Sequence, residues 1–423
     1  ERWQFAWGVA AIVVIAFFAV NASRRGAPDE AGGHPLPPAL RPVLLVLSVL
    51  ARVAGVVVYV GVVTAGLFGS EFPAASPTPI AVLITFWVGL QLLSMVLGDV
   101  WRVLSPFETL ALAAAWMRAR ARHERLVPAA VRGDANHLFA VWVIAGFVWW
   151  ELAYHSPTTP RLLAVMALTY GVAVLTMAAV RGRGWLRTGE GFAVLFGLFA
   201  TLSPLAPDDG DGRLGLRSPR RGLAVLAVRR GTMTLLFVVL GAAVFDGLTR
   251  TRFWFDLTIE RVGWGFTLVN TLGLAWTIGI VAVVYLGVTR VASWATGEEA
   301  DASATRFVPV LVPLAAGFTV AHYFSVLVLE GQGFWFLASD PYAEGWDLFG
   351  TADGTVDFNL LSPAAIAWVQ AAAIALGHVL GVVVTHDRAV AGLPPRPALV
   401  AQYVLLPMLV GSAVAAVALL LGT

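Results

Sequence analysis

The sequence predicts an all-α fold, a polytopic integral membrane helix bundle. Hydrophobic residues make up 58% of the chain, charged residues only 13%, and mean hydropathy is +0.79. Soluble domains carry about 25% charge, and a water-soluble chain of this length could not hide so much apolar surface. The apolar residues also fall into runs long enough to cross a bilayer core of about 30 Å at 1.5 Å per residue. Residues 1–423 therefore read as a single transmembrane domain with almost no water-soluble mass.

The expected spans are Trp3–Ala22, Val43–Leu67, Pro79–Val100, Leu138–Tyr154, Leu162–Val180, Thr232–Leu248, Phe266–Val288, Phe307–Leu329, Pro363–Thr385 and Leu399–Leu421, about ten transmembrane helices. Two further apolar stretches, Val103–Met117 and Gly191–Leu205, are too short or too interrupted to span. They read as two short re-entrant or interfacial helices. Ser105-Pro106-Phe107 and Ser203-Pro204-Leu205 within them hint at a repeat only a few residues long.

Every basic residue is arginine, and alternate loops concentrate them. Arg24, Arg25 and Arg41 follow the first span, Arg102 to Arg132 the third, and Arg181 to Arg230 the fifth. The positive-inside rule then puts these loops in the cytoplasm and both termini outside, as expected of a multi-pass protein of the bacterial cytoplasmic membrane. Arg250, Arg252 and Arg261 run against this orientation but are outnumbered.

A formal charge of +2 gives no reason to expect nucleic acid as a partner. Cysteine is absent, which excludes disulfides, thiolate catalysis and Cys-ligated zinc or iron–sulfur sites. Nucleotide-hydrolase, zincin and serine-hydrolase motifs are missing. Asp208–Gly215 alternates Asp and Gly like a calcium loop but lacks the bidentate Glu, so it reads as an ordinary loop.

Polar residues within spans are costly and mark functional candidates. Glu151, Tyr154 and His155 end the fourth span, and Asp246 lies about one turn from the outer end of the sixth. His322 and Tyr323 fall about 10 Å below the outer end of the eighth, with Glu330 at its mouth and Gln370 level with His322 on the ninth. The aromatic loop Gly331–Leu361 adds Asp340, Trp346, Asp347, Asp353 and Asp357. These segments are expected to converge on one outward-opening site. His322, Asp246, Glu151 and Glu330 would be its acids, bases or ligands, and Gln370, Tyr323, Trp346, Asp340 and Asp347 its substrate contacts. Each residue also has a plain reading as a helix-end marker, a satisfied imidazole or an aromatic-belt member. His322 and His378 should differ in depth by about 13 Å, too far for a shared haem or metal. No cofactor follows from this set. Asp99-Val100-Trp101-Arg102 and His386-Asp387-Arg388 read as ordinary interfacial anchors.

Five stretches look familiar together: Phe5-Ala6-Trp7-Gly8, Leu97-Gly98-Asp99-Val100-Trp101-Arg102, Gly189-Glu190-Gly191-Phe192-Ala193, Leu202-Ser203-Pro204-Leu205 and Phe245-Asp246-Gly247-Leu248. They resemble a family of multi-pass actinobacterial membrane proteins commonly labelled fenitrothion hydrolase. The resemblance implies cleavage of an organophosphate ester, which needs an activated water and a polarised phosphoryl oxygen. The leading expectation is thus a membrane-embedded, hydrolase-like protein acting on a small-molecule substrate. A small-molecule or ion transporter is one rival. A non-catalytic or quinone-facing subunit of a larger membrane complex is another. In each case the lipid bilayer is the obligatory partner.

Overall fold

The computed structural model describes residues 2–23, 26, 34–123, 131–207 and 214–421. Arg24, Arg25, Arg125, Arg213 and most of the Asp208–Gly215 loop lie outside the described residues. The helices that build the bundle are α1 (Arg2–Ala22), α2 (Arg41–Phe68), α3 (Pro77–Leu97), α4 (Pro106–Ala121), α5 (Leu138–Leu152) and α6 (Pro160–Arg181). They continue as α7 (Gly191–Ala200), α8 (Thr232–Thr249), α9 (Gly263–Thr296), α10 (Leu311–Leu329), α11 (Pro363–Gly392) and α12 (Pro395–Leu421). Among the described residues nine helices are long and apolar enough to cross a membrane. The tenth expected span is α5, whose 15 residues give only about 22 Å of helix.

Serine followed by proline starts four helices. Ser76, Ser105, Ser218 and Ser362 each accept a backbone N–H of the first turn, and the next residue is proline. The serine satisfies an orphan amide, and proline's fixed φ suits the first helical position. Ser203-Pro204 does something else: Ser203 donates to the Val96 carbonyl at 2.8 Å, and a strand follows. The short motif that hinted at a repeat therefore pairs non-equivalent positions. Strands β1 (His34–Pro35), β2 (Leu205–Pro207) and β3 (Leu214–Leu216) form a small antiparallel sheet in the order β1-β3-β2, with Leu205 opposite Leu216.

A different repeat is present. After α3 the chain runs Gly98-Asp99-Val100-Trp101, and after α6 it runs Gly182-Arg183-Gly184-Trp185. Gly98 and Gly182 take nearly the same left-handed φ, +86° and +88°, which β-carbon sterics reserve for glycine. Each tryptophan opens a single helical turn, Trp101–Leu104 or Trp185–Thr188, and a short helix follows, α4 of 16 residues or α7 of 10, called half-helices below. The half-helices begin deep in the bundle. Gly55, midway along α2, abuts the Leu104 backbone, and Gly171, midway along α6, abuts Phe107. Tyr170, beside Gly171, reaches Glu190 at the start of α7. Both half-helices thus start level with the midpoints of spanning helices. α7 is buried along most of its length, so it is a re-entrant helix and not a surface one. α4 is buried only at its first turn and becomes exposed towards Arg118.

The remaining helices pack around this pair. α10, α11, α12 and α1 form one side of the bundle, α2 and α6 the other, and α3, α5, α7 and α8 lie between. α10 and α11 cross closely because Gly317 meets Ala373 and Gly377 meets Pro313, where any side chain would collide. Residues Ile80–Gly89 of α3 are π-helical, a wider winding that is rare and found mostly at functional sites.

The arginine-rich loops share one end. Arg181 donates to the Arg132 and Asp134 carbonyls, and Arg220 pairs with Asp387 at 2.6 Å. At the foot of α5, His137 Nδ1 meets Thr232 Oγ1 at 2.9 Å. Burial, aided by the Arg229 charge, depresses the His137 imidazole from 6.5 to about 4. The unfolded chain then takes up that proton first. Stability is complete above about pH 6.5 and falls by about 3 kcal/mol as pH drops towards 4. His137→Gln should flatten that limb of the stability–pH curve, as read by thermal unfolding at stepped pH. An unchanged limb would assign it to other groups.

Candidate functional site

Four helices bring the sequence-predicted residues together at the end opposite the arginine-rich loops. α8 presents Asp246, α10 presents His322 and Tyr323, α5 presents Glu151, and the π-helical part of α3 adds Trp87. His322 Nε2 lies 2.5 Å from Asp246 Oδ2, and the Tyr323 hydroxyl donates to the same oxygen at 3.0 Å. That His322 contact is close but bent, so Nε2 lacks a well-aligned hydrogen bond. His322 is 3% exposed and Asp246 8%, so the pair is shielded from solvent. Arg250, half exposed one turn along α8, approaches Asp246 Oδ1 only to 3.9 Å.

Glu151 lies within electrostatic reach of both Asp246 and Tyr323. Its Oε2 is buried without a partner, and so is Nε1 of Trp87, which faces it without reaching hydrogen-bond geometry. A buried orphan acceptor beside a buried orphan donor is the setting a bridging water or hydroxyl group satisfies. The arrangement therefore holds an imidazole, a carboxylate and a phenol in direct contact, with the Glu151 carboxylate within electrostatic reach.

The other predicted site residues do not join this cluster. Glu330 is exposed just past α10, and Gln370 is half-buried on α11 with no hydrogen bond to His322 or Asp246. Asp340 accepts the amides of Glu344 and Gly345, and Asp347 accepts Ser339 Oγ and the Ala352 amide. The Ala352 amide, with Ser339, holds the Asp347 carboxyl below the usual range. Trp346 packs edge-on against Tyr342, whose hydroxyl bonds Thr64 of α2. The loop is thus stapled to itself and to the end of α2. Its carboxylates are consumed by its own turns, which Asp followed by Gly345 or Gly350 signals in the sequence.

His322 and His378 stay apart. From the Gly317–Gly377 crossing they diverge in opposite directions by about 10 Å along antiparallel helices. His378 is occupied by Ser412 at 3.1 Å and the Ile374 carbonyl at 2.8 Å. Among the described residues no group of three or more His, Asp or Glu side chains has metal-ligand geometry.

A second polar region went unread as such, because Asp99 to Arg102 passed for interfacial anchors. The starts of the two half-helices clasp each other. Trp101, ahead of α4, donates to Glu190 at the start of α7 at 3.0 Å. Arg187, ahead of α7, pairs with Glu108 in the first turn of α4 at 3.0 Å. Glu190 also accepts the Phe192 and Ala193 amides and the Tyr170 hydroxyl. The only sequence signal was the shared Gly-x-x-Trp spacing.

No protein-family model, curated protein or solved structure matches the chain.

Proposed function

We propose that the protein is a proton-coupled transporter of a small molecule or ion in the bacterial cytoplasmic membrane, with its arginine-rich end in the cytoplasm. The observation that carries this reading is the buried His322–Asp246 pair with Glu151 beside it, within the helix bundle. Ionisable groups are expensive there and mark ion and proton paths. The two half-helices that start at mid-depth support the same reading, since broken helices build the central sites of many transporters.

One observation favours the hydrolase reading as the second choice. Asp246 is placed against His322 as an orienting carboxylate is placed against a general base. The resemblance to proteins labelled fenitrothion hydrolase points the same way.

Purified protein in sealed vesicles separates the two. An imposed pH gradient read by an internal dye should collapse faster than in empty vesicles. Asp246→Asn and His322→Gln should each slow that collapse at least about tenfold, because proton transfer needs both groups. Wild-type rates in both variants would remove the transport reading. Cleavage of fenitrothion without proton movement would select the hydrolase.

A further inference from the structure

The clasped half-helices enclose a cleft lined by Asp99, Trp101, Arg102, Ser105, Glu108 and Arg187. Glu108 is 3% exposed and uses only one oxygen, Oε1, for Arg187. Its Oε2 is buried in the cleft wall with no partner. A buried carboxylate oxygen left bare asks for a donor. Among the described residues no donor reaches it, and the Arg187 contact is to Oε1 through Nη2.

The surrounding charge asks for something else. Arg102 is exposed at the cleft and lies within electrostatic reach of Arg187 and Arg52 as well as of Asp99 and Glu108. Arg52 sits about one turn from Gly55, the residue that abuts Leu104, and its Nη1 is buried without a partner. Arg187 and Arg52 thus place positive charge close to Arg102, and the positive end of α4 adds to it. Glu190 stands behind Trp101 with both oxygens already accepting hydrogen bonds. The cleft therefore offers an exposed guanidinium, that of Arg102, while its wall contains one bare acceptor.

A single chemical class meets both demands. We propose that this cleft binds an oxyanion that still carries a proton, of the hydrogen phosphate or bicarbonate kind. The hydroxyl donates to Glu108 Oε2, and the charged oxygens lie towards Arg102, with Arg52 behind it. The enclosed part of the cleft is about one water molecule in size and its mouth is open. The hydroxyl group enters and the rest of the anion stays in the mouth. Sulfate and chloride have no proton to give, so each would set a negative surface against a bare carboxylate oxygen. This names a substrate class for the transport reading and rests on it only for the translocation step.

Equilibrium binding of labelled phosphate, bicarbonate, sulfate and chloride to the full chain in lipid nanodiscs tests the proposal. Phosphate or bicarbonate should bind at least about tenfold more tightly than sulfate and chloride. The two favoured arms show which hydrogen-bearing anion fits. Glu108→Gln can turn an amide donor into the cleft and should raise sulfate relative to phosphate. Arg102→Gln should weaken every anion alike. Sulfate or chloride binding as well as phosphate would overturn the proposal, as would no binding of any of the four at millimolar concentration. So would an unchanged preference in Glu108→Gln protein that melts like wild type. Binding without vesicle flux would uphold the site and count against transport, whereas proton flux without anion binding would do the reverse.

Discussion

Glu190→Ala is expected to lower stability by about 4 kcal/mol or more, a large change for one exchange. Four donors converge on this carboxylate: the Phe192 amide at 2.9 Å, the Ala193 amide at 2.8 Å, the Trp101 indole at 3.0 Å and the Tyr170 hydroxyl. Glu190 is 1% exposed, so water does not replace the lost acceptor freely. Each buried donor left unpaired costs about 1–3 kcal/mol, and relaxation recovers only part of the total. The loss also strips the cap from α7 and releases one half of the clasp. Thermal unfolding followed by tryptophan fluorescence reads it. A drop below about 1 kcal/mol would mean that these donors do not depend on Glu190.

The second large effect is expected at Gly55. A β-carbon there would collide with the Leu104 carbonyl oxygen, which is backbone and cannot rotate away. Gly55→Leu should push the start of α4 off α2, with overpacking alone costing about 1–3 kcal/mol and more if the clasp opens. The same exchange at Gly61 is the control. That glycine is on the same helix with nothing within 4 Å of its would-be side chain. Gly61→Leu should be neutral or slightly stabilising, since glycine weakens a helix interior. Equal losses at the two positions in unfolding and vesicle-flux assays would show that the contact between α2 and the half-helix does not matter.

The sequence carried the spans well because hydropathy measures the length of an apolar run, and a bilayer sets one length for all. It also carried depth, because residues can be counted from a helix end. Asp246, His322, Tyr323 and Glu151 were expected to converge near the outer ends of their helices, and they lie together. Rotation about the helix axis is what counting omits. Gln370 has the expected depth on α11 but makes no hydrogen bond to the cluster. The π-helical turn was hidden for a similar reason: Ile80 to Gly89 is uniformly apolar, so its pattern does not distinguish one winding from the other. The half-helices were visible as short apolar stretches. Their depth and mutual clasp depend on contacts such as Trp101 with Glu190, 89 residues apart, which no local pattern encodes.

The clasp is reciprocal within one chain. One contact runs from the turn before α4 to the glutamate opening α7, and the other from the turn before α7 to the glutamate opening α4. In a pair of identical subunits a two-fold axis would make the two contacts the same. Here the contacts join two tandem segments instead, α2 to α4 and α5 to α7, at positions that are not equivalent: with Gly98 set on Gly182, Glu190 falls on Pro106 and Glu108 on Phe192. Glu190 has been buried among four donors, while Glu108 keeps an oxygen free. One end of the clasp is fully satisfied, and the other keeps a bare oxygen.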